Sequence, residues 1–183
     1  MIYQLRNNRN GEEACYHTTV EILECENILT FKFVAENSKY YCPRPGYNGI
    51  HSNGDACEIL IGSDLDRKVY YEIEISPKND LMIAKMTYQG VDENQKPILK
   101  IDFVEESFIK SNVTLTSTGY IAELSFDKRN VLSGDGEMYF NVYRLETDGG
   151  ETNKHLFALN PTMQGWFHVP AKYVDLKDYV EKA

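Results

Sequence analysis

The side chains with the most chemical reach in this sequence fall into two groups. The first lies inside apolar, strand-like runs: Glu58 in CEILI, and Asn141 and Arg144 in YFNVYR. If Cys57, Ile59 and Ile61 turn into a core, Glu58 points to the other side of its strand, where it either meets a ligand hydroxyl or stands as a solvated carboxylate. Arg144 carries five donors that suit vicinal hydroxyls or a carboxylate, and suit equally an ion pair with Glu58 or Glu74. Asn141, between Phe140 and Val142, reads as a residue that satisfies backbone groups. The second group sits in ENSKYYCPRPGYNGIHSNGD, Glu36 to Asp55, a loop of the length that is usually functional inside a compact domain. It holds Tyr40, Tyr41, Arg44, Tyr47 and His51. Tyr47 follows Pro45-Gly46 and should be displayed by a turn, while Arg44, between two prolines, has a stiff backbone and a free side chain.

Other chemistry finds little support. No G-x-S-x-G, H-E-x-x-H or G-x-x-x-x-G-K-[ST] motif occurs. The 28 acidic residues supply carboxylate pairs by number alone, so they do not specify hydrolysis, and the chain reads as no enzyme. The histidines are scattered; zinc would need Cys15 with His17, or Cys42 with His51. The acidic turns GSDLD, SGDGE and DGGE offer hard oxygen ligands, which makes calcium the metal to look for, although none has the D-x-[DN]-x-[DN]-G spacing. The four cysteines contain no C-x-x-C pair and are expected as free thiols. A net charge of −9 without a basic block argues against nucleic acid and membrane surfaces as partners. Met1 to Asn10 lacks an apolar signal stretch, so the sequence as written reads as cytoplasmic, or as secreted if a leader has been trimmed.

The elements that must position these residues are strands. TVEILECENILTFKFVAE shows two period-two runs on either side of Glu26-Asn27, as an antiparallel pair does. ACEILIGSDLDRKVYYEIEIS gives the strongest hairpin: Ile59 and Ile61 end at Gly62, a Ser-Asp-Leu-Asp turn follows, and Val69, Tyr71, Ile73 and Ile75 alternate with Tyr70, Glu72 and Glu74. LMIAKMTYQ, ILKIDFV, NVTLTSTGYIAELSF and EMYFNVYRLE add further strands, giving roughly eight to ten by pattern. FDKRNVL and LKDYVEKA have room for a helical turn. The expected fold is all-β, a two-sheet antiparallel β-sandwich or jelly roll, formed by residues 1–183 as a single domain.

The order of these motifs resembles the family-nine carbohydrate-binding modules and their DOMON-like relatives. GDACEILI is similar to the family's Asp-x-x-Glu strand, VYYEIEISPKNDL to its Tyr-Tyr hairpin, and GYIAELSFDKRNVL to its Gly/Trp-x-x-Glu strand and following turn. EMYFNVYRLE is similar to its aromatic-Asn-x-x-Arg strand, and WFHVPAKYVDL to its closing Phe-His-x-Pro segment. The resemblance implies a sugar ligand held by aromatic rings against the apolar face of a pyranose, with planar polar side chains on its hydroxyls. It also implies that Trp166, Phe167, His168 and Pro170 are scaffold, and that one stacking tryptophan should stand where this chain has Leu159. The other ring would come from the loop, as Tyr47, with Tyr41 and His51 beside it. On this reading the ligand-binding residues are Tyr47, Arg44, Glu58, Arg144, His51 and Tyr41. They enclose a pocket between the loop Tyr40 to Asn53 and the region Asn153 to Leu159, without covalent chemistry. Haem, known among the DOMON-like relatives, would need an axial pair such as methionine and histidine, which nothing here specifies. The rival to a sugar module is a structural domain whose tyrosine-rich loop contacts another protein.

Overall fold

A computed structural model describes residues 1–37, 39–49 and 54–182. His51 therefore lies outside the described residues. Fourteen strands occur among the described residues: β1 (Ile2–Gln4), β2 (Arg6–Asn7), β3 (Thr18–Cys25), β4 (Ile28–Glu36), β5 (Ala56–Gly62), β6 (Val69–Ile75), β7 (Leu81–Val91), β8 (Pro97–Phe103), β9 (Lys110–Leu115), β10 (Gly119–Asp127), β11 (Tyr139–Glu146), β12 (His155–Ala158), β13 (Val174–Asp175) and β14 (Glu181–Lys182). Single 3₁₀ turns at Lys128–Val131 and Leu176–Asp178 fall in the two segments with helical potential, and a third covers Pro170–Lys172.

The strands form two sheets. One has the order β1-β3-β4-β10-β9, with β14 parallel to β3; the other runs β2-β12-β11-β5-β6-β7-β8, with β13 on β11. All other pairings are antiparallel, and the β3/β4 and β5/β6 hairpins stand where period two put them. Between the sheets lies a core of Val20, Ile22, Phe31, Phe33, Cys57, Ile59, Ile61, Ile73, Ile75, Phe140 and Phe157, one face of each alternating strand.

β5 and β11 are buried along their whole length, because the second sheet is covered on its outer face too. A second apolar cluster there joins Leu60, Tyr70, Met82, Ala84, Met86, Tyr139 and Tyr143 to Phe167 and Tyr173 of the C-terminal segment. Polar anchors fix that covering segment. Buried Asn8 donates through Nδ2 to Thr162 Oγ1 at 2.8 Å and to the carbonyls of Gln164 and Trp166, and its Oδ1 accepts from Thr162 N–H at 2.9 Å. Asn141 donates to the carbonyls of Asn160 and Lys172 and accepts from Asn160 N–H, the backbone role read from its position. Tyr143 donates to the Phe167 carbonyl at 3.0 Å and stacks on its ring at 4.3 Å.

The β5/β6 turn uses its aspartate as a brace. Asp64 accepts from Lys68 N–H and Val69 N–H, and Tyr139 donates its hydroxyl to the same carboxylate. Gly62 leaves no room for a side chain: a Cβ there would stand 2.6 Å from the Val69 carbonyl oxygen.

Candidate functional site

A pocket of about 250 Å³ opens on the outer face of the second sheet, beneath the covering segment. Glu58 of β5 and Glu72 and Glu74 of β6 line it with Leu145, Leu156, Arg9 and Lys154, and Gly165, Trp166, Phe167 and His168 form the opposite wall. The hairpin register brings the acids together, since Glu58 pairs across the strands with Glu74 and Leu60 with Glu72. Cys57, Ile59 and Ile61 do turn inward, so Glu58 faces outward as its alternation required. The face is not solvated. Glu58, Glu72 and Glu74 are only 4%, 4% and 2% exposed.

The acids of the pocket are only partly hydrogen-bonded among the described residues. His168 Nε2 stands 3.3 Å from Glu72 Oε1, and its Nδ1 shares a 2.9 Å hydrogen bond with the Tyr70 hydroxyl. Glu72 Oε2 and Glu74 Oε2 find no hydrogen-bond partner among the described residues. Burial, and then repulsion from the neighbouring carboxylates, pushes both Glu58 and Glu74 well above the ordinary carboxylate range. Trp166 is half-buried in the wall, and its carbonyl holds the segment to Asn8 and Thr162. It is thus both scaffold, as its motif suggested, and pocket lining. Such a site gathers an indole, buried acceptors and two cationic side chains around one concavity.

The other residues read from the sequence lie elsewhere. Arg144 is a correction: it faces the interior between the sheets, fully buried, and donates to Thr18 Oγ1 at 2.7 Å, the Glu36 carbonyl at 2.6 Å and Glu146. Its ion pair is with Glu146 rather than Glu58 or Glu74, because strand parity places Arg144 beside inward-facing Cys57. Tyr47 is 39% exposed and donates to the Val104 carbonyl, next to the loop's contacts with β7. Leu159 packs partly buried against the inner core. Arg44 lines another groove with Pro43, Thr147, Glu151 and Lys154, and Tyr41 donates its hydroxyl to Glu151 at that groove. Of the expected wall from Asn153 to Leu159, Lys154 and Leu156 line the pocket together with Gly165–His168, while the loop meets that wall at Lys154 in the groove of Arg44.

Sequence reasoning missed Glu72, Glu74, Trp166 and Arg9. For the two glutamates a signal existed: they share parity with Tyr70, opposite the core residues Tyr71, Ile73 and Ile75. The thiols and acidic turns also find local uses. The four cysteines are free, and Cys15 Sγ meets His155 Nδ1 at 3.5 Å rather than His17. Burial pushes Cys42 and Cys57 each up to about 11. Asp148 accepts from Tyr16 and stands 2.9 Å from His155 Nε2.

Two antiparallel sheets with a pocket on the outer face of one define the class: a β-sandwich with the fold of the family-nine carbohydrate-binding modules. No protein-family model matches the chain, and no curated protein matches it. Solved structures do. A candidate carbohydrate-binding protein of Bacteroides uniformis ATCC 8492 superposes with a TM-score of 0.71 at 14% identity, covering 100% of this chain and 86% of the other. A family-nine module of Caldicellulosiruptor kristjanssonii in complex with glucose gives 0.57 at 14% identity, over 99% and 84% of the two chains. The module from that organism in complex with cellotriose gives 0.55 at 14% identity, over 100% and 82%. The likeness bears out the family-nine part of the motif resemblance as a statement about fold.

Proposed function

We propose that the protein is a non-catalytic carbohydrate-binding module that takes a mono- or oligosaccharide in the pocket under the C-terminal segment. One observation carries this reading: a half-buried tryptophan lines the same concavity as buried carboxyl oxygens that have no partner among the described residues. A pyranose has complementary chemistry, with an apolar C–H face for the indole and hydroxyl donors for the acceptors. The similar modules bind glucose and cellotriose, which supports the ligand class. Trp166 takes the stacking role that Leu159 does not fill. The pocket volume suits one sugar ring held end-on. The groove of Arg44 and Glu151 shares Lys154 with the pocket, so a second ring would extend toward Arg44 and Tyr41.

Calorimetric and thermal-shift titration with glucose, cellotriose and a wider sugar panel tests the assignment, with Trp166→Ala as the paired variant. A sugar should raise the melting temperature of the wild type, and Trp166→Ala should bind it at least ~10-fold more weakly, as loss of about 1.4 kcal/mol requires. Silence of the wild type across the panel would sink the sugar reading and favour the protein-interaction domain. Undiminished binding by Trp166→Ala would remove the pocket from it.

A further inference from the structure

Glu58, Glu72 and Glu74 each offer a carboxylate oxygen, and these three atoms lie within 4.8 Å of one another. All three side chains are more than nine-tenths buried, and two of their oxygens are buried without a partner among the described residues. A folded chain rarely leaves buried polar oxygens so placed unless something outside the polypeptide completes them. His168 touches only the Oε1 side of Glu72, and Arg9 and Lys154 stand in the pocket wall.

We propose that Glu58, Glu72 and Glu74 bind a divalent cation, calcium by preference, at the floor of the pocket, and that this cation coordinates two adjacent hydroxyls of the sugar. The donor chemistry selects the ion. Three carboxylates are hard oxygen ligands, and calcium accepts ~6–8 oxygens in loose geometry. The triad fills part of that shell, leaving positions that face the cavity, where a vicinal diol supplies neutral oxygens at suitable spacing. Magnesium demands a tighter octahedron and retains its waters. The acidic turns that drew attention in the sequence lack this convergence: among the described residues the glutamate triad is the one such group. The cation half of the inference stands on the triad alone, and the sugar half rests on the function proposed above.

The test uses the whole chain. Calcium chloride is titrated calorimetrically, and terbium is followed by luminescence sensitised from Trp166, the single tryptophan, which lines the same pocket. Terbium emission should appear with the wild type and be displaced by calcium. Glu74→Gln and Glu72→Gln should each weaken binding at least ~10-fold, while Glu137→Gln, at an exposed carboxylate, should leave it unchanged. Melting curves confirm that the variants are folded. Glucose and cellotriose are then titrated in calcium and in EDTA, and binding should be lost in EDTA. Calcium binding that is absent, or equal in wild type and Glu74→Gln, overturns the cation site. Sugar binding that persists in EDTA overturns the bridging role and leaves the sugar function intact. Calcium binding at the triad without any sugar response keeps the cation site and rejects both the bridge and the proposed function.

Discussion

Two buried acidic centres lie on opposite faces of the same sheet, and they are built differently. On the inner face Glu146 meets Arg144, and its other oxygen accepts from Asn37 and from the Thr147 and Asp148 N–H groups. The guanidinium is met in turn by Thr18, the Glu36 carbonyl and the faces of Tyr120 and Phe157, while its Nε has no hydrogen-bond partner among the described residues. Because Thr18 and Glu36 belong to the first sheet and Arg144 to the second, this centre clips the sandwich together. On the outer face three glutamates gather, and two of their oxygens have no partner among the described residues. In the inner centre a cation faces its carboxylate and ties the sheets together, whereas the outer acids gather beside a cavity without such a pairing, and the proposed ligand site rests on that difference.

The largest expected effect would break the inner centre. Arg144→Met leaves Glu146 buried without its counter-ion and should cost about 3–5 kcal/mol, the typical penalty for halving a buried pair. At ~2–4 °C per kcal/mol for a chain of this size, melting should fall by about 10 °C. Adding Glu146→Leu should return much of the loss. A cost below about 1 kcal/mol in urea denaturation would show that the two centres do not differ as described.

A smaller effect concerns pH. Burial outweighs the guanidinium and raises Glu146 from 4.5 to about 7. The folded state therefore holds a proton that the unfolded chain has released. This contribution is fully present below pH 4.5 and is lost as pH rises through about 7. Stability of the wild type relative to Glu146→Gln should thus decline across that window, by on the order of 1–3 kcal/mol. A constant difference from pH 4.5 to 8 would place Glu146 at an ordinary value. Substitution at the outer centre should act the other way from Arg144→Met: burial and its neighbours hold Glu74 well above the ordinary carboxylate range, so in EDTA the wild type should lose stability relative to Glu74→Gln as pH rises, and the variant should end the more stable by about 1–2 kcal/mol. Destabilisation would mean that Glu74 is already satisfied.

The sandwich was legible because its long strands alternate cleanly. Residues of β3, β4, β5 and β6 show which side faces inward, and Glu58 followed directly. Strands of two or three residues, such as β2 and β13, carry no period, and their pairings come only from tertiary contacts. Alternation also does not say what covers the second face. Glu72 and Glu74 read as ordinary surface acids until the segment from Thr162 to Tyr173 folds over them, and that segment is placed by single polar anchors such as Asn8. Arg144 was misplaced for a related reason. An arginine in an apolar strand suggests an outward face, yet strand parity sends this one inward, where its partners come from the distant β3 and β4 ends.

The smallest expected effect sharpens where the outer site stops. Arg44 and Tyr41 flank the groove that meets the pocket at Lys154, so they would touch only a ligand long enough to leave the pocket. Arg44→Ala should therefore weaken a trisaccharide about 3-fold, the loss expected of an exposed polar contact worth under ~1 kcal/mol, and leave a monosaccharide unchanged. Calorimetry with glucose and cellotriose on the same variant separates the cases. Equal weakening of both sugars would move Arg44 into the primary pocket. No effect on either would confine the site to the triad, Trp166 and the segment that covers them, with the tyrosine-rich loop free for another partner.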